Sequence, residues 1–356
     1  MKTNLTRDTL FLLVAICNLN FSVAAKTEKA IDLYFKRNYY AALEASILEI
    51  KKDSTNAMSH LVAGACLLEL ENKDSAIYYF ERAKSFKHSS RYVRSRALLG
   101  LSYCFSLKDN RAKIKENLEA CIKLKRPKKV ITSAKQKLIA YGLDEKEYGQ
   151  WKLKESTHFN FYFDNIDSIK NIEKYIQSHE NAFDSINLFF NATLPHKIAF
   201  YVWRDDARAK QMMGNNLAFA YSEACIIHTS NPHSLGHEMT HCISYYAAKP
   251  IHRSKLIAEG LCVYFDLTGR DGISKLKTLT QFIPSVADVW RNSNKVDNSI
   301  VYPLGGELVK RLIQTFGKEK FMQLLADQTY ESAQKIYGAE LNVLLKKLDE
   351  DLLVSK

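Results

Sequence analysis

The chain has 356 residues, 46% hydrophobic and 25% charged, with only 13 Gly and 6 Pro; that balance excludes a disordered, collagen-like or low-complexity chain and leaves room for two domains. Its formal net charge of +12 is unevenly placed: residues 26–154 carry 27 Lys+Arg against 15 Asp+Glu, and residues 155–356 carry 22 against 23. The basicity belongs to the first half alone, so the total charge by itself argues for no nucleic-acid or membrane partner.

Residues 1–25 read as a separate element. Lys2 and Arg7 precede a short apolar run, Leu10 to Cys17, and small residues follow at Val23-Ala24-Ala25. That is the layout of a secretory signal peptide cleaved after Ala25. The run is too short to anchor the chain, which takes about 20 residues. A lipoprotein anchored at Cys17 is the weaker alternative, because the bulky Ile16 stands where a small residue normally precedes the lipidated cysteine. The expectation is an exported protein (periplasmic, cell-envelope or secreted) with no transmembrane segment after cleavage. Cys66, Cys104, Cys225, Cys242 and Cys262 lie in apolar runs and read as buried free thiols, not as a disulfide scaffold.

Residues 26–125 read as helix after helix, with self-similarity at a spacing of 36. Gly64, Leu67 and Ala76 find counterparts in Gly100, Tyr103 and Ala112. Gly64, Leu67, Ala76, Phe80 and Ala83 occupy the small and large positions of a tetratricopeptide repeat, which this unit resembles. Ala30, Leu33 and Ala42 mark a fainter earlier unit. In such repeats small residues let paired helices approach and an aromatic fills the gap between neighbouring hairpins. A plain helical bundle is the alternative. A basic helix over about Lys128 to Tyr141 is expected to cap the stack. The run Lys123 to Lys129 lacks interleaved aromatics, so no nucleic-acid partner is expected. It reads as a solvated helix end or a contact with an anionic envelope surface. A protein partner on the repeat region is expected instead.

From Thr157 the pattern changes. His158 to Phe163 alternates as a half-buried strand, Ser168 to Phe190 as an amphipathic helix, and Lys197 to Trp203 as a second strand. Leu217 to Thr229 reads as a third strand, and Asn231-Pro232 as the cap and first turn of the next helix. Strands first and helices after indicate an α+β domain. The predicted organisation is a signal peptide at 1–25, an all-α helical-repeat domain at 26–150 and an α+β domain at 151–356.

The helix predicted from Pro232 contains His237-Glu238-Met239-Thr240-His241. Histidines four apart differ by about 40° around a helix, so both imidazoles leave one face and can hold one zinc ion. Glu238, beside the first histidine, is placed to act as general base on water activated by that ion. Glu259, 18 residues after His241 in an apolar segment, is the expected third ligand, since a buried carboxylate needs a partner.

With Ala258-Glu259-Gly260-Leu261, this pattern resembles the gluzincin metallopeptidases of the MA-like clan, from about His158 to Leu353. The resemblance implies a zincin-like fold, one Zn2+ ion, a peptide or protein substrate and peptide-bond hydrolysis. It also implies that the strand before the metal helix is the edge along which a substrate lies. Val301 to Phe321 resembles the segment after the zinc site in the aminopeptidase branch. Tyr302 and Gly305 there match a tyrosine whose hydroxyl stabilises the tetrahedral intermediate; packing at a helix start is the other reading of Tyr302. Val263 stands where many gluzincins carry an aspartate directed at a zinc histidine, leaving Asp266 or a backbone carbonyl as substitutes. No motif for anchoring a free amino terminus is visible, and Glu223 reads as a solvent-facing strand residue. Endopeptidase action is therefore expected. The alternative is a repeat scaffold in the cell envelope whose peptidase-like domain does not turn over.

Overall fold

A computed structural model describes residues 24–70, 72–108, 110–215, 218–230, 235–267, 272–279 and 283–353. Residues 1–23, which carry nearly all of the expected leader, lie outside them. Asparagine side chains start most helices of the first half. These helices are α1 (Ala24–Phe35), α2 (Tyr39–Lys52), α3 (Ala57–Glu69), α4 (Lys73–Ser85), α5 (Arg91–Ser106), α6 (Arg111–Lys123) and α7 (Lys128–Ala140). Asn38, Asn56, Asn72 and Asn110 each accept from the backbone N–H three residues on, at 3.3, 3.0, 3.2 and 3.1 Å. Each bond satisfies an amide that has no partner within its helix.

Each of these helices packs on the next, and the alternate helices α1, α3, α5 and α7 also pack on one another. Phe80 is fully buried between two of them. A Cβ on Gly64 would lie 2.8 Å from Phe80 Cδ1, and one on Gly100 would lie 2.7 Å from Phe80 Cζ. The two glycines that repeat in the sequence therefore clasp a single ring. A short helix, α8 (Glu145–Tyr148), closes this part, with the Tyr148 hydroxyl donating to the Ile139 carbonyl at 2.8 Å.

The described chain divides into two compact units, one up to residue 149 with 211–214, the other comprising 150–210 and 215 onward. The second unit holds five strands: β1 (Lys152–Glu155), β2 (Phe159–Phe163), β3 (Ile198–Trp203), β4 (Phe219–Tyr221) and β5 (Ile226–Ser230). Their order is β1-β2-β3-β5-β4, with the three central strands parallel and both outer strands antiparallel. Side chains alternate between faces, as strand geometry requires. Phe159, Phe161, Phe163, Phe200, Val202 and Ile227 join the main core with Phe183 and Ile186 of α9 (Ile172–Phe190). On the other face Tyr162, Tyr201, His228 and Phe219 form a row of stacked rings with centroids 4.7, 4.7 and 4.9 Å apart.

Two expectations are corrected here, and one strand is added. The segment from Leu217 to Thr229 is not one strand. A 3₁₀ turn at Ser222–Ala224 and a left-handed Cys225 (φ 46°) fold it into the β4–β5 hairpin. The edge is therefore the three-residue β4, and Thr229 lies on an interior strand; Leu217 itself is outside the described residues. The amphipathic helix begins at Ile172, not Ser168, because the Asn171 side chain caps it by accepting from Lys174 N at 2.8 Å. Strand β1 had no counterpart in the expectation: all four residues are exposed, and backbone pairing to β2 alone defines it.

The remaining elements are α10 (Asp206–Met213), α11 (His237–Ala248), α12 (Lys255–Tyr264), α13 (Gly272–Lys277), α14 (Val286–Asn292), α15 (Asn298–Ala326), α16 (Tyr330–Tyr337) and α17 (Ala339–Leu353). Helix α15 bends at Gly317, whose φ of 84° suits glycine. Among the described residues, no helix is long and apolar enough to cross a membrane.

Candidate metal centre

Helix α11 starts at His237, later than the sequence implied. Asn231 and Pro232 lie outside the described residues, and Gly236 occupies the position before the first turn. A side chain there would collide with α12, because a Cβ on Gly236 would sit 2.5 Å from the Phe265 carbonyl oxygen. The Gly236 carbonyl is also held by the Thr240 hydroxyl at 2.9 Å. The glycine thus fixes where α11 begins and brings its first turn against the end of α12.

His237 and His241 project from the same side of α11, with ring centroids 5.3 Å apart. Glu259 reaches them from α12, its Oε2 lying 3.3 Å from His237 Nε2 and 3.5 Å from His241 Nε2. Its side chain is only 6% exposed, and the ion-pair partners shown for it are these two imidazoles. Tyr302 arrives from α15, its ring parallel to that of His237 (4°) at 5.8 Å and its hydroxyl hydrogen-bonded to Glu259. Glu238 feels the charges of His237, His241 and Glu259. Four of the residues singled out from the sequence, His237, His241, Glu259 and Tyr302, meet in one place, and Glu238 is close enough to feel the charges of the first three.

The electrostatics push the two carboxyls in opposite directions. Burial works against charge on Glu259, but the flanking imidazoles overcome it and hold its carboxyl well below the usual range. Burial raises Glu238 instead, with the Glu259 charge adding to the shift and the histidines opposing it. Burial pulls His237 down, yet its hydrogen bond to Glu259 and the charges of Glu238, Glu259 and Asp266 carry it above its ordinary value. Burial, together with the charge and hydrogen bond of Glu259, pushes Tyr302 far up, so its hydroxyl keeps its proton.

A sixth residue belongs to the group. The donor atoms of His237, His241 and Cys262 all lie within 4.8 Å of one another. Cys262 is fully buried, and its thiol is pushed well above the ordinary value by burial and then by the nearby carboxylates. Its apolar neighbours had made it look like a packing residue; its place three residues after Glu259 on one helix was the available signal. Two imidazoles and a thiol can hold a metal ion. A buried carboxylate whose counter-charges are imidazoles strengthens that fit, because such a charge is costly without a cation.

The remaining expectations resolve differently. Val263 faces α15, its Cγ1 lying 2.6 Å from where a Cβ on Gly306 would be. Asp266 acts on His237 through its charge. Glu223 is not a solvent-facing strand residue: it sits in the 3₁₀ turn, its carboxylate lies 3.8 Å from Arg253, and its carbonyl accepts from the Tyr246 hydroxyl at 2.6 Å. No protein-family model and no curated protein matches the chain.

Proposed function

We propose that the chain is an exported zinc-dependent endopeptidase of the gluzincin type, with a tetratricopeptide-like amino-terminal unit that docks a protein partner. The observation that carries this reading is the convergence of one carboxylate oxygen, Glu259 Oε2, on both imidazoles at 3.3 and 3.5 Å. His237, His241 and Glu259 would hold the ion. When bound, zinc supplies Lewis-acid chemistry, polarising a scissile carbonyl and acidifying water. Glu238 accepts the proton of the attacking water at its carboxylate and delivers it to the leaving amine; its raised proton affinity suits both steps. Tyr302 keeps its proton and donates a hydrogen bond to the developing oxyanion.

Two observations support internal cleavage over cleavage from a chain end. Glu223, the acid on the segment before α11, lies 3.8 Å from Arg253 and so does not offer an unpaired anchor for a free amino terminus. Strand β4 lies at the edge of the sheet, and an edge strand offers backbone pairing, which grips an extended peptide without needing its end. Metal analysis of His237→Ala and His241→Ala, with cleavage of one peptide in free and acetylated forms, tests the proposal. Undiminished zinc in both mutants contradicts the metal assignment. Cleavage of the free form alone contradicts the endopeptidase assignment, and stoichiometric zinc without any turnover leaves the scaffold alternative.

A further inference from the structure

We propose that Cys262 is a fourth protein donor to the ion at this centre, so that the resting protein closes the metal's coordination with two side chains from each of two helices. His237 and His241 come from α11, and Glu259 and Cys262 from α12. The proposal rests on the metal reading above and extends it to a residue which that reading leaves unused.

Three observations carry it. The Cys262 sulfur and one ring nitrogen of each histidine lie within 4.8 Å of one another, a grouping that could hold a metal ion. Cys262 is three residues from Glu259, and residues at that spacing are neighbours on one helix face, as are the histidines at four. The cysteine is also fully buried and forms no disulfide. An inert cysteine would pack as a small hydrophobe; this one lies instead among two imidazoles and within the field of Glu259 and Glu238.

The chemistry that follows is specific. A sulfur donor favours borderline-soft ions such as zinc or cobalt over magnesium or calcium. Coordination exchanges the S–H bond for a sulfur–metal bond and releases the proton to solvent. Four protein donors make a closed site, whereas three leave a position open. A coordinated Cys262 would occupy the position that the hydrolytic reading leaves to water.

Cobalt alone is the probe. The metal-stripped full-length protein is reconstituted with Co2+, and bound metal is measured beside the near-ultraviolet spectrum. A sulfur-to-cobalt charge-transfer band is expected in the wild type. Cys262→Ala and Cys262→Ser should lose the band while retaining cobalt on the other three donors, and Cys242→Ser should keep it. Bound cobalt without the band in the wild type overturns the proposal even if the alanine variant fails to fold. A band that survives Cys262→Ser overturns it as well. A wild type that takes up no cobalt, or His237→Ala and His241→Ala variants that bind it undiminished, overturns the underlying metal reading and this proposal together. Cobalt bound through the histidines but lacking the band removes Cys262 alone.

Discussion

Gly260 and Gly305 cross so closely that neither has room for a methyl group. A Cβ on Gly260 would lie 2.3 Å from the Gly305 carbonyl carbon, and one on Gly305 would lie 2.3 Å from the Leu256 carbonyl oxygen. Glu259 precedes the first glycine and Tyr302 lies three residues before the second. The backbone crossing of α12 and α15 is thus what sets the tyrosine hydroxyl on the carboxylate. Alanine in place of glycine within a helix normally gains about 1 kcal/mol. Here the added atom meets main chain that cannot rotate away, so Gly305→Ala should destabilise by about 1–3 kcal/mol. Thermal unfolding checks the sign; a stability gain would show that the helices separate freely.

The consequence for chemistry can be separated from packing. Tyr302→Phe keeps the ring beside His237 and removes only the hydroxyl. Turnover should fall by about 100–1000-fold with little change in KM, the pattern of an interaction made only in the transition state. Metal content should not change. An unaltered kcat would return Tyr302 to a packing role.

Much of the centre was legible because its chemistry imposes residue types at fixed helical spacings: His237 and His241 four apart, with Glu238 between them. Glu259 was legible because a carboxylate stands out in an apolar helix. The β4–β5 hairpin was not, since Phe219 to Ser230 contains no Gly, Pro or Asn; the reversal is made by Cys225 in a left-handed conformation that its neighbours do not advertise. The start of α11 at His237 was not legible because it is fixed by tertiary contact between Gly236 and Phe265, which no local pattern announces. Cys262 was hidden by its own hydrophobicity. Local pattern identified the side chains, but contacts between distant segments decided where the elements begin and what faces what.

In the first unit, Gly64 and Gly100 both press on the ring of Phe80. Gly100→Ala should destabilise this unit by about 1–3 kcal/mol through overpacking, and Phe80→Ala by about 3–5 kcal/mol through the cavity it leaves. Hydrogen exchange should show the loss in α3 to α6. Equal protection in wild type and Phe80→Ala would contradict this account of the stack.

His179 gives the second unit a pH dependence. Its ring lies among Phe159, Phe161, Tyr175 and Phe200, and burial lowers it from 6.5 to about 4. The folded protein holds the neutral ring while the unfolded chain binds a proton below 6.5. Stability is therefore complete above 6.5 and lost as pH falls toward 4, by about 3 kcal/mol. His179→Phe should flatten that part of the profile. Denaturant unfolding between these pH values checks it, and an identical slope in both proteins would exclude His179 as the source.

The most direct test of the central claim is Glu238→Gln, which keeps the side chain's size but cannot accept a proton. Zinc content and peptide hydrolysis are measured together on wild type and variant. The account predicts stoichiometric zinc in both and hydrolysis lowered by at least about 100-fold in the variant. Equal, readily measured turnover in the two proteins would contradict it.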